Sequence, residues 1–201
     1  MGIQRGGVGK APSAINLAAG LAVLEFRTLV LDADPQANST TGVGFDLQNI
    51  QQSLYDCMVN GTPARDVILK SEIPNLDVIP SHIDLVGAEI EMITYPNCEH
   101  VLKGILDAVR DRYDFVIIDC SPSLGLITVN SLVASDSVIV PVQCEFFALE
   151  ALGKLLITIK IVQNRLNPES QREGILRTMK DGRWRGGNRW EGEGRRHMMD
   201  R

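Results

Sequence analysis

Residues 4–18 read "QRGGVGKAPSAINLA", and the reading of this stretch decides what fold the rest of the chain can build. Gly6, Gly7 and Gly9 carry no Cβ, so the backbone around Val8 can curl until successive N–H groups point inward at one anion. Lys10 adds an ammonium where the curl closes. Ile15, Leu17, Ala18, Leu21 and Ala22 then recur with helical spacing and predict a helix over 13–24. A helix starting near Lys10 turns its positive end toward the same anion. An ordinary glycine turn reads the same way in isolation, so the residues downstream must decide between the two.

Downstream, short Val/Ile-rich runs alternate with longer segments of helical period. "TLVLDAD" (28–34), "LDVIPS" (76–81), "DFVIIDC" (114–120) and "DSVIVPVQ" (136–143) are continuous apolar runs, as parallel strands covered on both faces require. Further helices are expected over 82–93, 98–111, 124–134 and 146–165. The order predicts a doubly wound α/β domain with a mainly parallel sheet. Ligands of such sheets bind at the carboxyl ends of the strands. Here those ends carry Asp32 and Asp34, Ser81 and His82, Asp119, and Gln143 with Glu145, so the chemistry gathers on one edge. Only Met1, Gly2 and Ile3 precede Gln4, and the strand that normally leads into such a loop is expected to be largely missing.

The second motif, "LVLDADPQANSTTG" (29–42), puts Asp32 and Asp34 on one side of a strand end, since side chains alternate along a strand. Two carboxylates facing an anion loop suit magnesium bound through water and the orientation of an attacking water. The bland reading is a solvated Asp-Pro turn. The third, "FVIIDCSPS", ends an apolar run on Asp119, the placement of a magnesium-side carboxylate on a buried strand. A helix-capping aspartate is its bland counterpart.

Composition bounds the rest. The net charge of −5 averages two unlike regions: residues 1–171 hold 11 Lys/Arg against 20 Asp/Glu, and residues 172–201 hold 9 against 5, with six glycines and both tryptophans. Cys57, Cys98, Cys120 and Cys144 form no CxxC pair, which argues against a zinc site or disulfide framework and for a reducing, cytoplasmic setting. No apolar run approaches the ~18 residues of a membrane span.

Together these motifs resemble the ParA/Soj family of partitioning ATPases, in the deviant-Walker group of P-loop ATPases. The resemblance rests on "GGVGK…AINLAAGLA", "LDADPQAN", "FVIIDCSPSLGLITVNSLVASDSVIVPVQCEFFALEAL" and "EGILRTM". It covers residues 4 to about 181, and the DPQ after the second strand favours ParA/Soj over the related MinD group. The resemblance implies a three-layer P-loop domain over 1–181 that binds ATP and Mg2+. It implies a homodimer on ATP, nonspecific DNA binding on the nucleoid, a ParB-like partner that stimulates hydrolysis, and no membrane attachment. Residues 6–12 then form the nucleotide loop, with Lys10 on the phosphates and Arg5 where the family has its signature lysine. Asp34 takes the hydrolytic carboxylate's place, with Asp32 as its neighbour, and Asp119 that of the Walker B aspartate. Asp32, Asp34 and Asp119 would meet the metal through water. Pro141 to Glu145 form the strand end beside the nucleotide.

Three positions depart from the pattern. Ala11 replaces the threonine whose hydroxyl binds magnesium. Pro12 has no N–H to offer a phosphate and is expected to bias Ala11 away from helical geometry. Arg5 keeps a positive charge but not the slim ammonium shape. Residues 182–201 have no helical period and are expected to be a disordered Gly/Arg-rich tail, with the C-terminal elements that the resemblance implies expected to be largely missing. Three readings stand: a partitioning ATPase, a catalytically silent remnant with weak or no nucleotide binding, and a MinD-like membrane-positioning ATPase.

Overall fold

A computed structural model describes residues 9–121, 123, 125–143 and 148–178. In chain order the main elements are α1 (Lys10–Val23), β1 (Thr28–Ala33), α2 (Asn38–Gly42), α3 (Leu54–Met58), α4 (Ala64–Val67), β2 (Leu69–Lys70) and β3 (Leu76–Ile79). Beyond them lie α5 (Leu85–Glu91), α6 (Val101–Asp107), β4 (Phe115–Cys120), α7 (Leu126–Ala134), β5 (Ser137–Gln143), α8 (Ala148–Arg165) and β6 (Gln171–Thr178). The four predicted strands are all present, and the predicted helices are present with shifted ends. The expectations for residues 1–8 and for the 182–201 tail lie outside the described residues.

The chain is α/β with mostly parallel strands, as predicted, but the described strands form two sheets. One runs β2-β3-β1-β4 with only β2 antiparallel, and the other is the parallel pair β5-β6. Strand β1 has neighbours on both edges and is buried along its whole length. On β4, paired with β1 alone among the described strands, Phe115 stays 40% exposed.

Alternation along β1 builds the layers. Leu29, Leu31 and Ala33 pack with Leu54, Leu85, Met92, Leu102 and Leu106 from α3, α5, α6 and their borders. Val30, between them, faces the other way and packs with Ala18 and Ala22 of α1 and Val78 of β3. Helices thus cover both faces of the first sheet, giving three layers. A separate apolar cluster, with Leu132, Val140, Val142, Ile159 and Val162, joins α7, β5 and α8.

The polar residues that blur the period of α7 have buried work. The side chain of fully buried Asn130 accepts from Leu102 N at 3.0 Å and donates to the carbonyls of Cys98 (2.8 Å) and Leu126 (3.0 Å). It therefore ties α7 to the start of α6, meeting the Leu102 N–H that a helix start leaves without an intrahelical acceptor.

Candidate nucleotide site

The loop delivers its last glycine in the conformation that only glycine adopts cheaply. Gly9, the N-cap of α1, has φ 78° and ψ 23°, a left-handed geometry that strains any residue with a Cβ. The first helical bond runs from Ser13 N to Gly9 O at 3.0 Å. The N–H groups of Lys10 and Ala11 consequently have no acceptor within the helix and remain available to an anion.

Pro12 leaves this turn intact. It occupies the third helical position, where an N–H would have no intrahelical acceptor, so its missing donor breaks no helical bond. Ala11 is helical. The expectation that Pro12 pushes Ala11 out of helical geometry is therefore corrected: α1 begins at Lys10, where the loop reading puts its start and three residues before the apolar period begins. What Pro12 does remove is one N–H from those that face the loop.

The β1–β4 register sets Asp32 directly beside Asp119. Both lie on the face of their strands that looks toward α1, since Val30 and Ile117, two residues earlier on each strand, pack on that side. Asp34 comes just beyond the end of β1. Its Oδ1 accepts from Gln36 N at 3.0 Å, and Ala37 N donates to its carbonyl at 2.8 Å, closing the turn into α2.

Two hydroxyls to which the sequence motifs assign no role organise these carboxylates. Ser39 Oγ donates to Asp119 Oδ2 at 2.6 Å. Thr40 donates to Asp32 Oδ2 from both N and Oγ1, each at 2.7 Å, while Asp34 N donates to Asp32 Oδ1 at 3.2 Å. Thr40 Oγ1 also accepts from Ser81 N, at the end of β3, at 3.0 Å. Consecutive helical residues point about 100° apart, which lets α2 reach β4 with one side chain and β1 with the next. The run "NSTTG" holds the signal in its paired hydroxyls, but hydroxyl runs are also ordinary in turns.

Burial and charge set the protonation of the cluster. Asp32 is wholly buried, and loss of hydration pushes its carboxyl up to about 6 against the pull of the Thr40 and Asp34 hydrogen bonds. Burial likewise raises Asp119; nearby Asp34 adds to the rise, while Ser39 and Lys10 oppose it. Lys10 is lowered by burial, and Cys120, Asp34 and Asp119 pull it back up. The ammonium thus lies within electrostatic reach of both carboxylates. Asp32, with both oxygens engaged by protein donors, is spent on holding α2.

The arrangement fits a hydrated magnesium brought in with a phosphate chain. Among the described residues no three His, Cys, Asp or Glu side chains could hold a metal by themselves. Mg2+ commonly keeps several waters and takes one or two carboxylates plus phosphate oxygens, and Asp34 and Asp119 supply that much. Ala11 supplies no hydroxyl. Arg5, Gly6, Gly7 and Val8 lie outside the described residues, as do Cys144 and Glu145 of the β5 strand-end segment. Two cavities elsewhere, of about 510 and 450 Å3, do not coincide with this cluster; one is lined by Cys57, Pro63 and Ile105, the other by Lys103, Asp136 and Asn167.

Comparison with known proteins places the chain in a family. The profile of a family described as an AAA domain matches residues 1–171. Over 180 residues the chain is 49% identical to the sporulation initiation inhibitor protein Soj of Bacillus subtilis, covering 90% of this chain and 71% of Soj. Over the same length it is 47% identical to the chromosome partitioning protein ParA of Myxococcus xanthus, covering 64% of that protein. The chain belongs to the ParA/Soj family of partitioning ATPases. Cobyrinic acid a,c-diamide synthase of Mycobacterium smegmatis, solved with ADP and magnesium bound, superposes on this ParA/Soj chain with a TM-score of 0.91. It is 32% identical, over 97% of this chain and 79% of that one. A plasmid partition protein of Borrelia burgdorferi superposes with a TM-score of 0.78 at 28% identity, over 94% and 80% of the two chains. Among the described residues of this ParA/Soj member, no helix is long and apolar enough to cross a membrane.

Proposed function

We propose that this ParA/Soj chain binds ATP with Mg2+ at the N-terminus of α1 and hydrolyses it slowly, residues 1–181 forming the ATPase domain. The observation that carries the reading is the position of Lys10: it opens the helix at a left-handed glycine and sits within electrostatic reach of Asp34 and Asp119. In this reading the free amides of Lys10 and Ala11 and the Lys10 ammonium hold the phosphates. Asp119 and Asp34 hold waters of the magnesium, and Asp34 also orients the attacking water. Bound magnesium supplies charge neutralisation on the phosphate oxygens. Homodimerisation on ATP, nonspecific DNA binding and a ParB-like partner that stimulates hydrolysis belong to the same proposal, supported by the kinship to Soj and ParA.

The second reading, a silent nucleotide-binding or nucleotide-free remnant, draws on Ala11 and Pro12, which remove one hydroxyl and one N–H from the phosphate end of α1. ATP binding measured with and without Mg2+, together with phosphate release, separates the two. Mg2+-dependent binding with slow release supports the ATPase. Binding indifferent to Mg2+, without any release, supports the remnant.

A further inference from the structure

Helix α7 takes its cap from another helix. Its N-cap, Gly125, makes no side-chain capping bond, where Ser, Thr, Asp or Asn would ordinarily accept from the second or third amide of the helix. The second amide, Ile127 N, donates instead to Oε1 of Glu89 on α5, 38 residues back in the chain, at 3.2 Å. A carboxylate in this place also meets the positive end of the helix dipole. Glu89 is partly buried, and α5 itself packs through fully buried Leu85 and Ala88 onto Leu29, Leu31 and Ala33 of β1. The carboxylate is therefore carried by a helix that the core holds against the sheet.

Gly125 is a glycine because of this contact. Its φ of −87° and ψ of −174° are extended backbone open to any residue, so its conformation does not require one. A Cβ at Gly125 would overlap both carboxylate oxygens of Glu89. The carboxylate fills the space that a side chain at the N-cap would take. A local Ser or Asp would cap α7 without fixing where its head stands. Glu89 caps it and ties it to α5 at once.

The head of α7 in turn holds the backbone that follows Asp119. The Thr128 hydroxyl, next to Ile127 and buried, donates to the Ser123 carbonyl at 2.6 Å, with the Ser121 carbonyl at 3.4 Å. Ser121 comes two residues after Asp119, directly after Cys120, which lies within electrostatic reach of Lys10. Ser39 holds Oδ2 of Asp119, and the direction of the other oxygen depends on the backbone that carries it. We propose that Glu89 is a positioning residue for Asp119. By fixing the head of α7 it keeps Ser121 and Ser123, and with them the carboxyl end of β4, where Asp119 can hold a water of Mg2+. This role presupposes that the cluster binds ATP with Mg2+.

The test titrates Mg2+ into the full chain at a fixed ATP concentration and, separately, follows amide hydrogen exchange of Ile127 in the chain without nucleotide. Glu89→Ala should raise the Mg2+ concentration for half-maximal ATP binding about tenfold, as loss of an outer partner does at metal sites. Binding in EDTA should stay unchanged, because Lys10 and the α1 amides hold the phosphates. The Ile127 amide should exchange faster in Glu89→Ala. Glu89→Gln, whose amide oxygen still accepts from Ile127 N, should restore both readouts. Gly125→Ala, which displaces the carboxylate, should match Glu89→Ala, and the two together should cost no more than either alone. Glu89→Asp, which keeps the charge but withdraws it by one methylene, carries the same comparison if Glu89→Ala does not fold. A lower urea midpoint with the Mg2+ midpoint unchanged makes Glu89 purely structural and overturns the proposal. Additive effects of Glu89→Ala and Gly125→Ala, or unchanged exchange at Ile127, overturn it too. If the wild type binds ATP with Mg2+ and the variants bind it identically, this role alone fails. If the folded wild type binds no ATP, the nucleotide reading fails and takes this role with it.

Discussion

Ser39 donates to Asp119 at 2.6 Å, and the next residue, Thr40, donates twice to Asp32 at 2.7 Å. One five-residue helix therefore holds both strand-end carboxylates of the β1–β4 pair. Such a helix is too short to be stable on its own sequence; buried charge-assisted hydrogen bonds keep it in place.

Removing the Ser39 hydroxyl should move Asp119 first. Burial already raises its carboxyl, and the Ser39 bond opposes that rise. In Ser39→Ala the neutral form gains, so Mg2+-dependent ATP binding should require a higher pH than in the wild type. At neutral pH affinity should fall by about tenfold, since a hydrogen bond to a charged group is worth roughly 1.5–3 kcal/mol. Ser39→Thr, which keeps the hydroxyl, should restore the pH profile. Titration calorimetry at about pH 6 and about pH 8 reads both effects, and superimposable profiles for wild type and Ser39→Ala would remove Ser39 from the site.

Asp32 gives the fold a pH dependence of definite sign. Its carboxyl rises to about 6 in the folded chain from an ordinary 3.8, so between these values the folded state holds the proton more tightly than the unfolded state. Stability from this group is then gained as pH falls through about 6 and lost as pH rises toward it, by roughly 3 kcal/mol at most. Urea midpoints at about pH 5 and about pH 7.5 should differ in that direction, and Asp32→Asn should shrink the difference. An unchanged difference in Asp32→Asn would assign the dependence to other groups.

Restoring the hydroxyl and donor of the phosphate end should speed turnover. Ala11→Thr combined with Pro12→Thr leaves α1 intact, because the first helical bond comes from Ser13, and it adds one metal ligand and one N–H. Phosphate release should rise by at least about tenfold, the effect of roughly 1.4 kcal/mol in the transition state. Equal rates for the parent and the double variant would show that the loop is not what limits the chemistry.

Strands β1 and β4 are legible in the sequence because a strand buried on both faces is a continuous apolar run, and each ends on an aspartate that has no place in a core. The parallel register that sets Asp32 beside Asp119 is implicit once both runs belong to one sheet. Helix α2 is illegible: "NSTTG" has no apolar period, contains β-branched threonines, and is held by partners 41 and 80 residues away in the chain. The apolar period places the head of α1 three residues late because its first apolar member is Ile15, whereas the first turn from Lys10 is shaped by the loop and carries Pro12 at no cost in helical bonds. Lys10, Asp34 and Asp119 stand out by motif, and Ser39 and Thr40 emerge only when the turn after Asp34 is seen folded back over both strands.

Asp34 should matter for turnover far more than for binding, since a carboxylate that orients water acts chiefly in the transition state. Asp34→Ala should keep ATP affinity within a few-fold while abolishing residual phosphate release. A large loss of binding with turnover preserved would contradict that role.

The most direct measurement is the calorimetric affinity of the wild-type and Lys10→Ala chains for ATP, each with Mg2+ and with EDTA. The account predicts Mg2+-dependent binding by the wild type and a loss of about ten- to a hundredfold in Lys10→Ala, the worth of one charged contact to phosphate. A folded wild-type chain that binds no ATP, or a Lys10→Ala chain that binds it equally well, would contradict the assignment of this cluster as a nucleotide site.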